Sequence, residues 1–153
     1  MTPTLASTLA AVAKAMAPAT RPWWVIGSAA VALHDVAAGE VRDVDVLIDP
    51  VDVTALFGEL SIAPITLAPD PLFRSDVFAR WTGAGLPVEF MAGFSVATVD
   101  GWSAVRPVTR QAIALGAATV YTPDRAELIA LLRRFGRPKD LRRAAALEGR
   151  KTG

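Results

Sequence analysis

The spacing of apolar positions divides this chain into alternating helical and extended stretches. Residues 5–17 carry apolar side chains at most helical positions and stop at Pro18 and Pro22, which predicts a first helix packed on something larger. Trp23-Trp24-Val25-Ile26 is short, bulky and β-prone, and Gly27-Ser28 closes it. Residues 29–38, rich in alanine, valine and leucine, then read as a buried helix. From 41 to 48 the period changes to two: Arg42, Asp43 and Asp45 interleave with Val41, Val44, Val46 and Leu47, up to Asp49-Pro50. That period predicts a strand with Asp43 and Asp45 on one of its faces.

Pro50 near a first turn, with Leu56, Phe57 and Leu60 on one side, predicts a helix over 50–60. The proline-rich stretch 61–71 reads as a connection. Two strands over 73–81 and 86–91 follow, joined by Thr82-Gly83-Ala84-Gly85 as an antiparallel hairpin. The stretch 93–107 shows no decisive period. Residues 118–121 predict a last strand, and helices are expected over 124–135 and 139–147, separated by Gly136-Arg137-Pro138. No internal repeat is present, and alanine enrichment is the one compositional bias.

With 153 residues, 52% of them hydrophobic and 20% charged, the chain suits a single globular domain over 1–153. Its α/β core is expected over about 20–121 and a helical part over about 122–150. Cysteine is absent and histidine occurs once, which excludes disulfides and a cysteine nucleophile and disfavours a zinc site. A metal held by this chain is held mainly by oxygen, which favours Mg²⁺ or Mn²⁺. The alanine-rich first segment lacks a basic leader and is interrupted by Lys14, and no run approaches the roughly 20 apolar residues of a membrane span. A soluble, cytoplasmic protein without membrane contact is the resulting expectation.

A net charge of +1 conceals an asymmetry. Arg133, Arg134, Arg137, Lys139, Arg142, Arg143, Arg150 and Lys151 stand against Asp140 and Glu148, so the last 21 residues are +6 and the remainder −5. Such a segment reads either as a solvated helix face or as a holder of polyanions, nucleotide or RNA.

The acids in the remainder carry the chemistry. Like charges two residues apart on one strand face repel, and a cation between them relieves that repulsion. Alternation of acid and valine alone also describes many half-buried strands. Gly27-Ser28 adds a second feature: a glycine after a strand lets backbone N–H groups approach a phosphate at the start of the next helix, although Ser28 as a plain helix cap accounts for the same residues.

Together, Gly27-Ser28, a helix and Asp43-Val44-Asp45-Val46 resemble the motif of the nucleotidyltransferase superfamily related to DNA polymerase beta. Leu128-Ile129-Ala130-Leu131 with Gly136-Arg137-Pro138-Lys139-Asp140-Leu141 is similar to the ending of small bacterial members of the AbiEii toxin type, and the likeness spans about 23–147. The resemblance implies a minimal α/β (α+β) nucleotidyltransferase fold, a short mixed sheet with helices on one face and two C-terminal helices. It implies that Asp43, Asp45 and, on a later strand, Glu89 hold Mg²⁺ or Mn²⁺, and that Glu89 serves as the acceptor's base. Gly27 and Ser28 would orient a nucleoside triphosphate, with Arg42, Arg137 and Lys139 reaching its phosphates. The implied reaction transfers a nucleoside monophosphate to an acceptor hydroxyl, with RNA as a possible acceptor and an antitoxin protein as a possible partner. Leu132 departs from the pattern, standing where such relatives often carry a lysine; a weak or inactive member that only binds nucleotide or partner is the alternative. His34 and the tryptophans Trp23, Trp24, Trp81 and Trp102 are expected to pack rather than to bind.

Overall fold

The computed structural model describes residues 1–149; Arg150 and Lys151 of the basic segment lie outside the described residues. Helix α1 (Pro3–Ala15) leads to β1 (Trp24–Ile26), α2 (Gly27–Leu33), β2 (Val44–Ile48) and, after a 3-10 turn at Pro50–Asp52, α3 (Val53–Leu60). Seven further strands follow: β3 (Phe73–Arg74), β4 (Val77–Trp81), β5 (Val88–Ala92), β6 (Ser95–Thr98), β7 (Gly101–Ala104), β8 (Gln111–Leu115) and β9 (Ala118–Thr122). Helices α4 (Arg125–Phe135) and α5 (Pro138–Gly149) close the described chain.

The central sheet has the order β1-β2-β5-β4 and is mixed: β2 and β5 run parallel, and β1 and β4 flank them antiparallel. Period-two alternation gives its middle strands two unlike faces. Val44 and Val46 of β2 and Val88 and Phe90 of β5 are fully buried on one face, where Phe57 of α3 meets the Phe90 ring at 6.2 Å. Asp45 and Glu89 occupy the other. The sheet is therefore a rigid plate with a core on one side and two carboxylates on the other.

Several boundaries depart from the sequence expectation, among them the strand expected over 41–48, which begins only at Val44, and the helix expected over 50–60, whose first turn is 3-10. Helix α2 begins at Gly27 itself and stops at Leu33, leaving 34–43 as a connection that crosses to β2. The expected strand over 73–81 breaks at Ser75-Asp76: β3 joins a second sheet of order β3-β6-β7, while β4 stays with β5 as the expected hairpin. The stretch without a period contains the β6–β7 hairpin, and β8 pairs with the expected last strand β9.

Helix α4 starts at a side-chain cap. The Asp124 carboxylate accepts from the Glu127 amide, and the Glu127 carboxylate accepts from the Val108 and Thr109 amides and the Thr109 hydroxyl. This ties the helical end to the β7–β8 connection. Where α4 meets the second sheet, Phe73, Phe94 and Phe135 form a cluster with ring centroids 5.0–6.0 Å apart. The packing roles expected for the lone histidine and three tryptophans hold: a His34 ring nitrogen lies 2.9 Å from the Pro123 carbonyl, the Trp24 indole donates to the Thr109 carbonyl, Trp23 meets Tyr121 edge-on, and Trp81 stacks on Phe90. Trp102 is partly exposed beneath the Arg74 guanidinium. No helix among the described residues is long and apolar enough to cross a membrane.

Candidate active site

Asp45 lies within β2 and Asp43 one residue ahead of that strand's start. The parallel register between β2 and β5 sets Glu89 opposite Asp45 on the same face. As a result Asp43, Asp45 and Glu89, all partly buried, can each offer a carboxylate oxygen within 4.8 Å of the others. Opposite ligands on an octahedral Mg²⁺ stand about 4.2 Å apart, so oxygens spaced as these are could share one cation. An all-oxygen, three-carboxylate donor set fits a hard divalent cation.

The three acids act on one another. Burial raises the Asp45 carboxyl from 3.8 to about 8; the charges of Asp43 and Glu89 push in the same direction, and those of Arg137 and Lys139 oppose them. Glu89 also has a protein partner, since Arg80 sits opposite it on β4 and donates to its carboxylate at 3.2 Å.

Gly27 opens α2 with φ +69°, a left-handed conformation that favours glycine. A β-carbon there would lie 3.0 Å from an Asp45 carboxylate oxygen, so the residue's lack of a side chain also makes room for the acid. No side chain caps α2, and the first-turn N–H groups of a helix have no intrahelical acceptor. Ser28, Gly27 and all three acids border one cleft of about 1010 Å³.

The cleft is also lined by cations. Lys139, Arg142 and Arg143, three and four residues apart on α5, line it together with Arg137. Arg143 donates through Nε to the Ala38 carbonyl at 3.0 Å, tying α5 to the connection that carries Asp43. Arg137 is held rather than free: its Nε and Nη2 donate to the two oxygens of buried Asp140 at 2.6 and 3.0 Å, and its guanidinium lies 4.9 Å from the Phe73 ring centre.

The structure thus brings all eight residues named from sequence to one cleft: Asp43, Asp45, Glu89, Gly27, Ser28, Arg42, Arg137 and Lys139 all line it. Arg42 pairs with Glu40 at 3.2 Å, both side chains well exposed, instead of with the acids beside it. Leu132 is fully buried in the core, so its side chain does not face the cleft. Among the cleft's cations, Lys139 of α5 is the lysine that lines it. Sequence reading missed Arg142 and Arg143 as cleft residues although their spacing from Lys139 placed them on its side of a helix. It missed Arg80 because only the β4–β5 register reveals its partner.

No protein-family model matches the chain, and no curated protein matches it in sequence. Similar solved structures share its fold. A protein of Thermotoga maritima described as a candidate nucleotidyltransferase superposes with a TM-score of 0.70 at 18% identity, over 92% of this chain and 88% of that one. The antibiotic-resistance factor ANT(2'')-Ia superposes at 0.60 and 11% identity, over 96% and 84%. The lincosamide antibiotic adenylyltransferase LnuA, bound to lincomycin, gives 0.52 and 12% over 84% and 86%. The chain has the nucleotidyltransferase fold.

Proposed function

We propose that residues 1–153 act as one metal-dependent nucleotidyltransferase domain that moves a nucleoside monophosphate from a nucleoside triphosphate to an acceptor hydroxyl. The observation that carries this reading is the convergence of Asp43, Asp45 and Glu89 oxygens within 4.8 Å of one another, between the Gly27-Ser28 turn and a cationic helix. A divalent cation held by the three carboxylates would neutralise the triphosphate's charge and align its oxygens.

The chain's own residues supply the rest. The Gly27 and Ser28 amides and the Ser28 hydroxyl orient the phosphates, and Lys139 neutralises them from α5. Arg137, preset by Asp140, adds a fixed positive charge to the same side. Glu89 accepts the acceptor's hydroxyl proton as that oxygen bonds to the α-phosphorus; the bond to the bridging oxygen breaks and pyrophosphate leaves past α5. Arg80 holds the Glu89 carboxylate in place.

The fold neighbours include a lincosamide antibiotic adenylyltransferase and an antibiotic-resistance factor, which supports transfer chemistry on this scaffold. An antitoxin partner and a toxin role remain the AbiEii-type form of the same proposal. The basic segment favours RNA less once folded: Arg137, Lys139, Arg142 and Arg143 line the cleft, Arg133 pairs with Glu148, and Arg134 bonds Ser103 and the Ala104 carbonyl.

The test is incubation with each α-labelled nucleoside triphosphate and cell extract, with Mg²⁺, with Mn²⁺ and with EDTA. Transfer of label that EDTA abolishes is expected. Nucleotide binding without transfer under every condition supports the binding-only alternative instead.

A further inference from the structure

The three acids are not held in the same way. Asp45 and Glu89 stand within β2 and β5, where the ladder between the two strands fixes their backbone. Asp43 lies ahead of the strand, at the end of the connection 34–43. The Val36 amide donates to the Val31 carbonyl, and the Val44 amide donates to the Pro87 carbonyl at 2.9 Å. Between those two points, among the described residues, 37–43 take part in no backbone–backbone hydrogen bond.

Arg143 ties this stretch from outside. Its Nε donates to the Ala38 carbonyl at 3.0 Å. Ala38 belongs to the buried core, where a carbonyl needs a partner. The other end of the tie is rigid, because Ala144 and Leu147 bury α5 in the core and Asp140 holds Arg137 at its first turn. Arg143 and Asp43 line the same cleft. Burial lowers the Arg143 guanidinium from its usual range, and the charges acting on it are those of Asp140, Arg137, Arg142 and Asp43.

We propose that Arg143 is a positioning residue of the metal site: by holding Ala38, its Nε–H keeps the connection on the course that brings Asp43 to Asp45 and Glu89. The inference rests on the metal-dependent reading and adds to it a residue that acts through the backbone. The sign of its effect separates it from simple electrostatics. A positive charge near the acids repels a cation, so a guanidinium acting by charge alone weakens metal binding, and its removal tightens it. A guanidinium that positions Asp43 has the opposite effect.

The experiment measures Mn²⁺ binding to the nucleotide-free chain, from the loss of the free ion's electron paramagnetic resonance signal. Arg143→Gln removes the charge but places an amide nitrogen where Nε stood, and Arg143→Met removes both charge and donor while keeping an unbranched side chain. Thermal melting confirms that both variants fold. Arg143→Met is expected to weaken Mn²⁺ binding about threefold or more, whereas Arg143→Gln binds within about twofold of the wild type or more tightly. A smaller loss in Arg143→Met, or tighter binding by it, overturns the proposal, and so does an equal loss in both variants. No Mn²⁺ binding by the wild-type chain overturns the metal-dependent reading beneath it.

Discussion

Gly27 and Asp45 define each other's position. Replacing Gly27 with alanine forces a side chain into a left-handed conformation and against the Asp45 carboxylate. The expected cost is about 1–2 kcal/mol of stability, read from urea unfolding, with a larger proportional loss of nucleotide transfer. Asp45 carries the pH dependence. With a folded-state value of about 8 against a usual 3.8, the metal-free folded chain holds a proton that the unfolded chain has released. Its favourable contribution is complete below 3.8 and is lost as pH rises through about 8, so stability without metal falls across that window. Asp45→Asn should flatten this slope and raise the melting temperature at pH 8, and added Mg²⁺ should stabilise the native chain but not the variant. An unchanged slope in the variant would place the titration on another group.

At the scale of elements, α5 is set by its first turn. Asp140 is almost fully buried yet satisfied, accepting from the Arg137 amide and from Nε and Nη2 of its guanidinium. Asp140→Ala should cost about 1–3 kcal/mol in chemical denaturation and loosen the cations that line the cleft. Leu132→Lys, which would supply the lysine that the family resemblance led one to expect, should destabilise the chain through burial of a charge and leave the KM for nucleotide no better. The strands bearing the acids were legible because a half-buried strand must alternate, and Val44, Asp45 and Val46 do. So was α4, whose end is set by Gly136-Arg137-Pro138. The split between β3 and β4 was hidden, because the turn at Ser75-Asp76 depends on where Gly93 and β6 lie. The β6–β7 hairpin was hidden too: its strands of four residues, Ser95–Thr98 and Gly101–Ala104, are mostly small or polar and show no apolar face.

For the whole molecule, what matters is which distant segments the fold brings to one cleft. Asp45 and Glu89 meet through a parallel register between strands far apart in sequence, and α5 arrives from the far end of the chain. Residue types announced the acids and the Gly-Ser turn; the place of Arg142 and Arg143 on the same cleft appeared only with the fold. The fold is shared with transferases of low identity, so the central claim is the metal-dependent chemistry of the three carboxylates. The most direct measurement is transfer from α-labelled nucleoside triphosphate in Mg²⁺ by the wild-type chain beside an Asp43→Ala/Asp45→Ala variant whose folding is confirmed by melting. Loss of label by about a hundredfold or more in the folded variant is predicted; undiminished labelling by that variant would contradict the assignment of the site.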